Sequence, residues 1–197
     1  MPGAHEHMEH AEHTEHAAHS NKGIALLIAV IALFLAFSET LGKSAQTAAL
    51  NYQIEASNLW NFFQAKYIRR TVTIVAVESA KSDALVATDP AQKEALAKQI
   101  DAWTKTADRY RSEPDTGEGT TELSKRAIEE QKKRDTMLAR YHHYEIASAA
   151  FQIGIVLCSA AVITSMMILA YLAGALAVVG LGFTGIGLLA PHAVHLF

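Results

Sequence analysis

The chain has 197 residues, half of them apolar, with 17 basic and 20 acidic side chains and a formal net charge of −3. That length is one structural unit of ordinary size, and a mean hydropathy of +0.11 leans toward the membrane side of average composition. A single cysteine, Cys158, excludes an intramolecular disulfide and a cysteine-based zinc site, and the negative balance gives no reason to expect a nucleic-acid partner.

The average hides segregation. The first twenty residues hold six His and four Glu but no Lys or Arg, whereas 16 of the 17 basic residues lie between Lys43 and Glu145, and no Asp, Glu, Lys or Arg follows Glu145. Residues 1–22 read as an arm of triplets in which His7, His10, His13, His16 and His19 recur every third position, preceded by His5. Neighbouring imidazoles at that spacing suit Cu, Zn or Ni, and the intervening glutamates make a loose mixed ligand set. The competing reading is a solvated polar tail whose charge changes as its histidines titrate. An acidic, His-rich arm in front of the first apolar run is unlike a cleavable signal peptide.

Gly23–Phe37 is apolar throughout. Fifteen residues at 1.5 Å each fall short of a hydrocarbon core of ~30 Å, so the crossing is expected to extend over residues 23–42 and to carry Glu39 near one interface. An ionisable residue at that depth is a functional candidate, with pairing to Lys43 one turn on as the plain alternative.

No helix breaker interrupts Lys43 to Thr88, so a long helix is expected to continue out of the membrane. Trp60, Phe63 and Tyr67 share one face of it and are read as a packing seam. Thr88-Asp89-Pro90 closes that helix and opens another over about 90–112. In this second helix Leu96, Ile100, Trp103, Ala107 and Tyr110 repeat at steps of four and three. Glu113-Pro114-Asp115-Thr116-Gly117-Glu118-Gly119 is a loop. A phosphate-binding role for its glycines fails because no strand precedes them and the acids would repel phosphate. A third helix follows over about 121–146 and runs into the uncharged end, with Lys132, Lys133, Arg134 and Arg140 near the membrane entry and Tyr141 and Tyr144 as an interfacial belt.

The last stretch, 147–190, is too long for one crossing and is expected to form a hairpin turning near Ala170–Gly174, followed by a short tail, 191–197. Gly174, Gly180, Gly182 and Gly185 are expected at a helix–helix interface, within the chain or between copies.

The expected fold is therefore an all-α membrane protein: three transmembrane helices with a helical hairpin or bundle domain, 43–145, outside the bilayer. The basic residues beside that domain favour a cytoplasmic location for it and an exported arm. The segment from Asn51 to Arg70, with Glu55-Ala-Ser-Asn-Leu-Trp60 as its most specific part, the Tyr141–Gln152 entry and the Gly-rich last crossing resemble the bacterial membrane proteins of domain of unknown function 4337. The resemblance implies an inner-membrane location and three crossings, and carries no catalytic residues with it. The expected function is a non-enzymatic scaffold or accessory subunit of a larger membrane complex, self-associating or built around other subunits. Metal capture or delivery by the His arm is the alternative.

Overall fold

The computed structural model describes residues 4–194, with side chains from Lys22 onward. The described residues form four helices and no strand: α1 (Ala4–Val86), α2 (Pro90–Arg111), α3 (Thr120–Thr164) and α4 (Met167–Leu189). Three of them, α1, α3 and α4, are long and apolar enough to cross a membrane. The chain divides into two compact units, Met1–Ala48 with Thr136–Phe197, and Ala49–Asp135. Both α1 and α3 run through the two units without a break. The division lies inside the expected 43–145 domain, because residues 43–48 and 136–145 pack with the apolar helices.

In the first unit α1, α3 and α4 share a core of Ile24 and Ile31 from α1, Ala147, Phe151, Cys158 and Ala161 from α3, and Ala170 and Ala173 from α4. Small residues allow the helices to meet at close range, as in packing between apolar helices generally. A Cβ on Gly154 would lie 3.5 Å from the Ala173 carbonyl oxygen and 3.6 Å from Ile31 Cδ1, and one on Gly42 would lie 3.4 Å from Tyr144 Cβ. The buried Ser38 hydroxyl donates to the Tyr144 carbonyl at 3.1 Å, joining α1 to α3.

The hairpin turns earlier than the sequence suggests, at Ser165-Met166 and not near Ala170–Gly174. Ser165 takes a positive φ of 56°, a left-handed conformation that ordinarily favours glycine, and Met166 is extended before α4 begins. No Gly or Pro marks this turn; its only local mark is the polar pair Thr164-Ser165 within an apolar run. The earlier turn gives α4 23 residues, more than the roughly 20 that one crossing needs.

The second unit holds the middle of α1, all of α2 and the first part of α3. Asp89 caps α2 by accepting from the Ala91 amide at 3.1 Å, and Pro90 occupies the first turn, where its missing N–H costs nothing. Leu59 of α1 packs with Leu123 and Ala127 of α3, and Trp60 and Phe63 lie against that cluster. The α2 seam faces inward: Ala107 is buried, and Leu96, Ile100, Trp103 and Tyr110 are half-buried.

Candidate functional site

A groove of about 450 Å³ opens in the first unit between α1 and α3, where the apolar helices become polar. Its lining includes Glu39, Lys43 and Gln46 on α1 and Tyr141, Glu145 and Gln152 on α3. Successive turns of each helix place these groups in facing rows. Glu39 Oε1 accepts from Gln152 Nε2 at 3.2 Å. The partner that holds Glu39 is thus an amide on α3. On α3 itself, Tyr141 donates to Glu145 Oε1 at 3.4 Å, and His142 Nδ1 lies 3.7 Å from Glu145 Oε2. Ser38, also in the lining, spends its hydroxyl on the Tyr144 carbonyl. Two carboxylates, an ammonium, phenols and amides around one opening are suited to holding a small polar or zwitterionic group by charge and hydrogen bonds.

The floor beside the groove is tightly built. His143 is buried, stacks on Phe183 of α4 with ring centroids 6.1 Å apart, and its Nε2 lies 3.0 Å from the Pro191 carbonyl oxygen. That contact makes Nε2 the protonated nitrogen, since a carbonyl only accepts. It leaves Nδ1 buried without a partner. One residue further along the tail, His192 Nε2 lies 3.2 Å from Thr136 Oγ1. The tail after α4 is therefore fastened to α3 at two points.

Of the four glycines expected at an interface, Gly180 is packed within the chain, where a Cβ would sit 2.7 Å from Phe151 Cε1. Among the described residues nothing lies within 4 Å of a Cβ position on Gly174, Gly182 or Gly185, so no close helix contact there depends on their being glycine. The companion of Gly180 is Gly187, two turns on, whose Cβ would meet Tyr144 Cε1 at 2.8 Å and His143 Cβ at 3.1 Å. Sequence alone lists these glycines equally; only the positions of Phe151, Tyr144 and His143 on α3 separate them.

The second unit has a polar centre that no motif announces. The Lys66 side chain is nearly buried and its Nζ lies 3.7 Å from Glu113 and 3.4 Å from Glu118. It also sits 5.4 Å from the Phe62 ring and 5.5 Å from the Tyr110 ring, so cation–π attraction adds to the ion pairs. This ties the 112–119 loop and α2 to α1. The loop is further closed by Glu122, which accepts from Ser112 Oγ at 2.6 Å and from the Glu113 amide at 3.2 Å. The Ser112 hydrogen bond holds the Glu122 carboxyl below the usual carboxylate range. Gly117 takes a φ of 69°, and a Cβ on Gly119 would collide with Glu122, with the Glu113 nitrogen and with Ser112 Cα. The loop glycines thus serve backbone geometry.

Trp60 and Phe63 meet edge to face at 5.4 Å, and Phe63 and Tyr67 stack at 6.0 Å. The first two are partly buried as a seam requires, whereas Tyr67 is more than half exposed because it lies past the end of the Leu59–Leu123 cluster. Trp103 is half-buried on the inner face of α2. The histidines His5 to His19 lie outside the residues whose side chains are described. Among the described residues no group of three or more His, Cys, Asp or Glu is placed to hold a metal.

These features define an all-helical protein with three helices fit to cross a membrane and a second, charged helical unit built on two of the same helices. Residues 20–190 match the family described as Domain of unknown function (DUF4337), and the chain belongs to that family. No curated protein and no solved structure matches it.

Proposed function

We propose that the protein is a non-enzymatic, multi-pass protein of the bacterial inner membrane that works as an oligomeric scaffold or as an accessory subunit of a larger membrane complex. The observation that carries this reading is α1. It is a single helix that leaves an apolar packing unit and enters a charged one, where it keeps large apolar side chains exposed, among them Ile54, Ile68, Val72 and Val75. Exposed apolar surface of that kind marks an interaction site on a water-facing unit. The Lys132, Lys133, Arg134 and Arg140 cluster on α3 favours a cytoplasmic location for the charged helices and an exported His-rich arm. Native mass spectrometry from nanodiscs tests the reading: a defined oligomer or a stoichiometric partner is expected, and a clean monomer with nothing bound overturns it.

The His triplets support a second reading, capture of Cu, Zn or Ni by the arm. Calorimetric titration of the full-length protein with each ion is expected to give binding tighter than about 0.1 mM that is lost when His7, His10, His13, His16 and His19 are changed to Ala. Binding weaker than about 0.1 mM, roughly −5.5 kcal/mol, counts against it.

A further inference from the structure

The middle of α1 carries two apolar faces, and the second unit uses only one of them. Ala56, Phe63 and Val77 fall on the face turned to α2 and α3, where Ala56 and Val77 are buried and Phe63 partly so. Their spacing of seven and fourteen sets a heptad, and in it they hold the f position. The a and d positions, on the opposite side of the helix, are Asn51, Ile54, Asn58, Asn61, Ala65, Ile68, Val72 and Val75. Those side chains point away from the rest of the unit: Ile54, Ile68, Val72 and Val75 are 57%, 61%, 63% and 59% exposed. A solvated outer face is ordinarily polar. Here five of the eight a and d positions over Asn51–Glu78 are apolar, and Ala65, Ile68, Val72 and Val75 form an unbroken apolar a/d run of two heptads.

We propose that this seam is covered by the same seam of a second copy, so that two α1 helices pair in parallel through Ile54, Ala65, Ile68, Val72 and Val75. The proposal deepens the assembly reading and rests on it. Three features single out a second copy as the occupant. Two chains inserted in one bilayer with the same orientation present α1 to each other in parallel, and a twofold axis along the helix brings each a or d residue opposite its own copy. Next, the flanks are compatible. In a parallel pair each g residue faces the following e residue of the other helix, which sets Ser57 against Phe62, Gln64 against Arg69 and Thr71 against Ala76. No like charges meet from Ser57 to Ala76, and Gln64 can accept from the Arg69 guanidinium; a like-charged pair, Glu78 against Asp83, falls beyond Val75, the end of the apolar run. Finally, Asn51 and Asn58 are polar a residues of the kind that fix register and number of helices at some cost in stability. The apolar contact is concentrated in Ala65–Val75, and the asparagines align it.

Disulfide trapping in native membranes tests the pairing. In a Cys158→Ala background, Ile68→Cys and Val72→Cys are expected to give a dimer on mild oxidation. Lys81→Cys, at an exposed c position, is expected to remain monomeric. Equal trapping at all three positions, or none at 68 and 72, overturns the proposal. Native mass spectrometry of the unmodified protein separates the two levels. An oligomer without trapping at 68 and 72 removes the seam and leaves assembly standing, while a monomer removes both. Val72→Asp, with helix content checked by circular dichroism, is expected to dissociate the pair without unfolding the chain; a folded Val72→Asp protein that stays dimeric overturns the proposal as well.

Discussion

Gly180 of α4 lies directly against the ring of Phe151 of α3, leaving no room for a single added carbon: a Cβ would fall 2.7 Å from Cε1 and 2.8 Å from Cζ. Phe151 is fully buried and stacks with Phe34 of α1 at 6.2 Å, so its ring cannot swing aside without disturbing the third helix. Gly180→Ala is expected to destabilise the apolar unit by about 1–3 kcal/mol, the usual range for overpacking. Gly182→Ala, with nothing within 4 Å, is expected to be neutral or slightly stabilising, because glycine inside a helix costs roughly 0.5–1 kcal/mol relative to alanine. Thermal unfolding of both variants in one detergent checks the contrast, and equal effects would refute it.

The same pair shows why sequence reads the elements better than their faces. Asp89-Pro90 and the Glu113–Gly119 run announce helix ends locally, through a cap, a ring without an N–H and glycines. The side of α4 that meets α3, by contrast, is set by Phe151, Tyr144 and His143, more than 25 residues upstream, and Gly174 and Gly180 look alike until those rings are placed. The turn at Ser165 escapes for a related reason. An apolar run that is uniform in hydropathy contains no periodic signal for where it folds back, and the chain turns there with a left-handed serine where a glycine would be looked for. Glu39 was legible as a polar residue near the end of an apolar run, but its partner Gln152 lies 113 positions away.

Lys66 should be the most sensitive charged residue of the second unit. Removing it leaves Glu113, itself mostly shielded, with only the exposed Arg109 at 3.3 Å as a counter-charge. Since Glu118 is about half exposed and can turn to water, the full cost of a broken buried pair is not reached, and Lys66→Ala is expected to cost about 1–3 kcal/mol. Lys66→Met keeps the stem packed on both rings and should cost less than the alanine variant. Chemical denaturation followed by Trp103 and Trp60 fluorescence measures both. An unchanged midpoint for Lys66→Ala would show that the loop is not held by this residue.

Closure of the 112–119 loop should depend on acid. The Glu122 carboxyl is held below its ordinary value near 4.5, chiefly by the Ser112 hydroxyl. A carboxylate depressed on folding contributes stability that is complete above the unfolded value and is lost as pH falls through the folded one. The gap in unfolding midpoint between the unmodified protein and Glu122→Gln is therefore expected to be widest at neutral pH and to narrow as pH drops below about 4.5. A gap that holds constant down to pH 3 would mean that the charge is irrelevant. Gly119→Ala should be worse than Glu122→Gln at every pH, since the added carbon meets the Glu113 nitrogen and Ser112 Cα, which are backbone atoms that cannot rotate away.

His143 joins two parts of the chain that sequence keeps 48 positions apart. Its Nε2–H reaches the Pro191 carbonyl at 3.0 Å, its ring lies on Phe183, and a Cβ on Gly187 would lie 3.1 Å from its own. Replacing it with alanine removes a buried hydrogen bond and a filled volume together, whereas His143→Phe keeps the ring and loses only the bond. The alanine variant is expected to lose about 2–4 kcal/mol and the phenylalanine variant about 1–2 kcal/mol, the difference being packing. Both should loosen the end of α4 locally, because Thr136 to His192 is the other described tie between the tail and α3. Hydrogen exchange of residues 188–194 in detergent reads this directly: faster exchange there, with residues 24–35 unchanged, is the expected pattern. Uniform acceleration along all three apolar helices would instead make His143 a support of the whole unit and not a fastening of its tail.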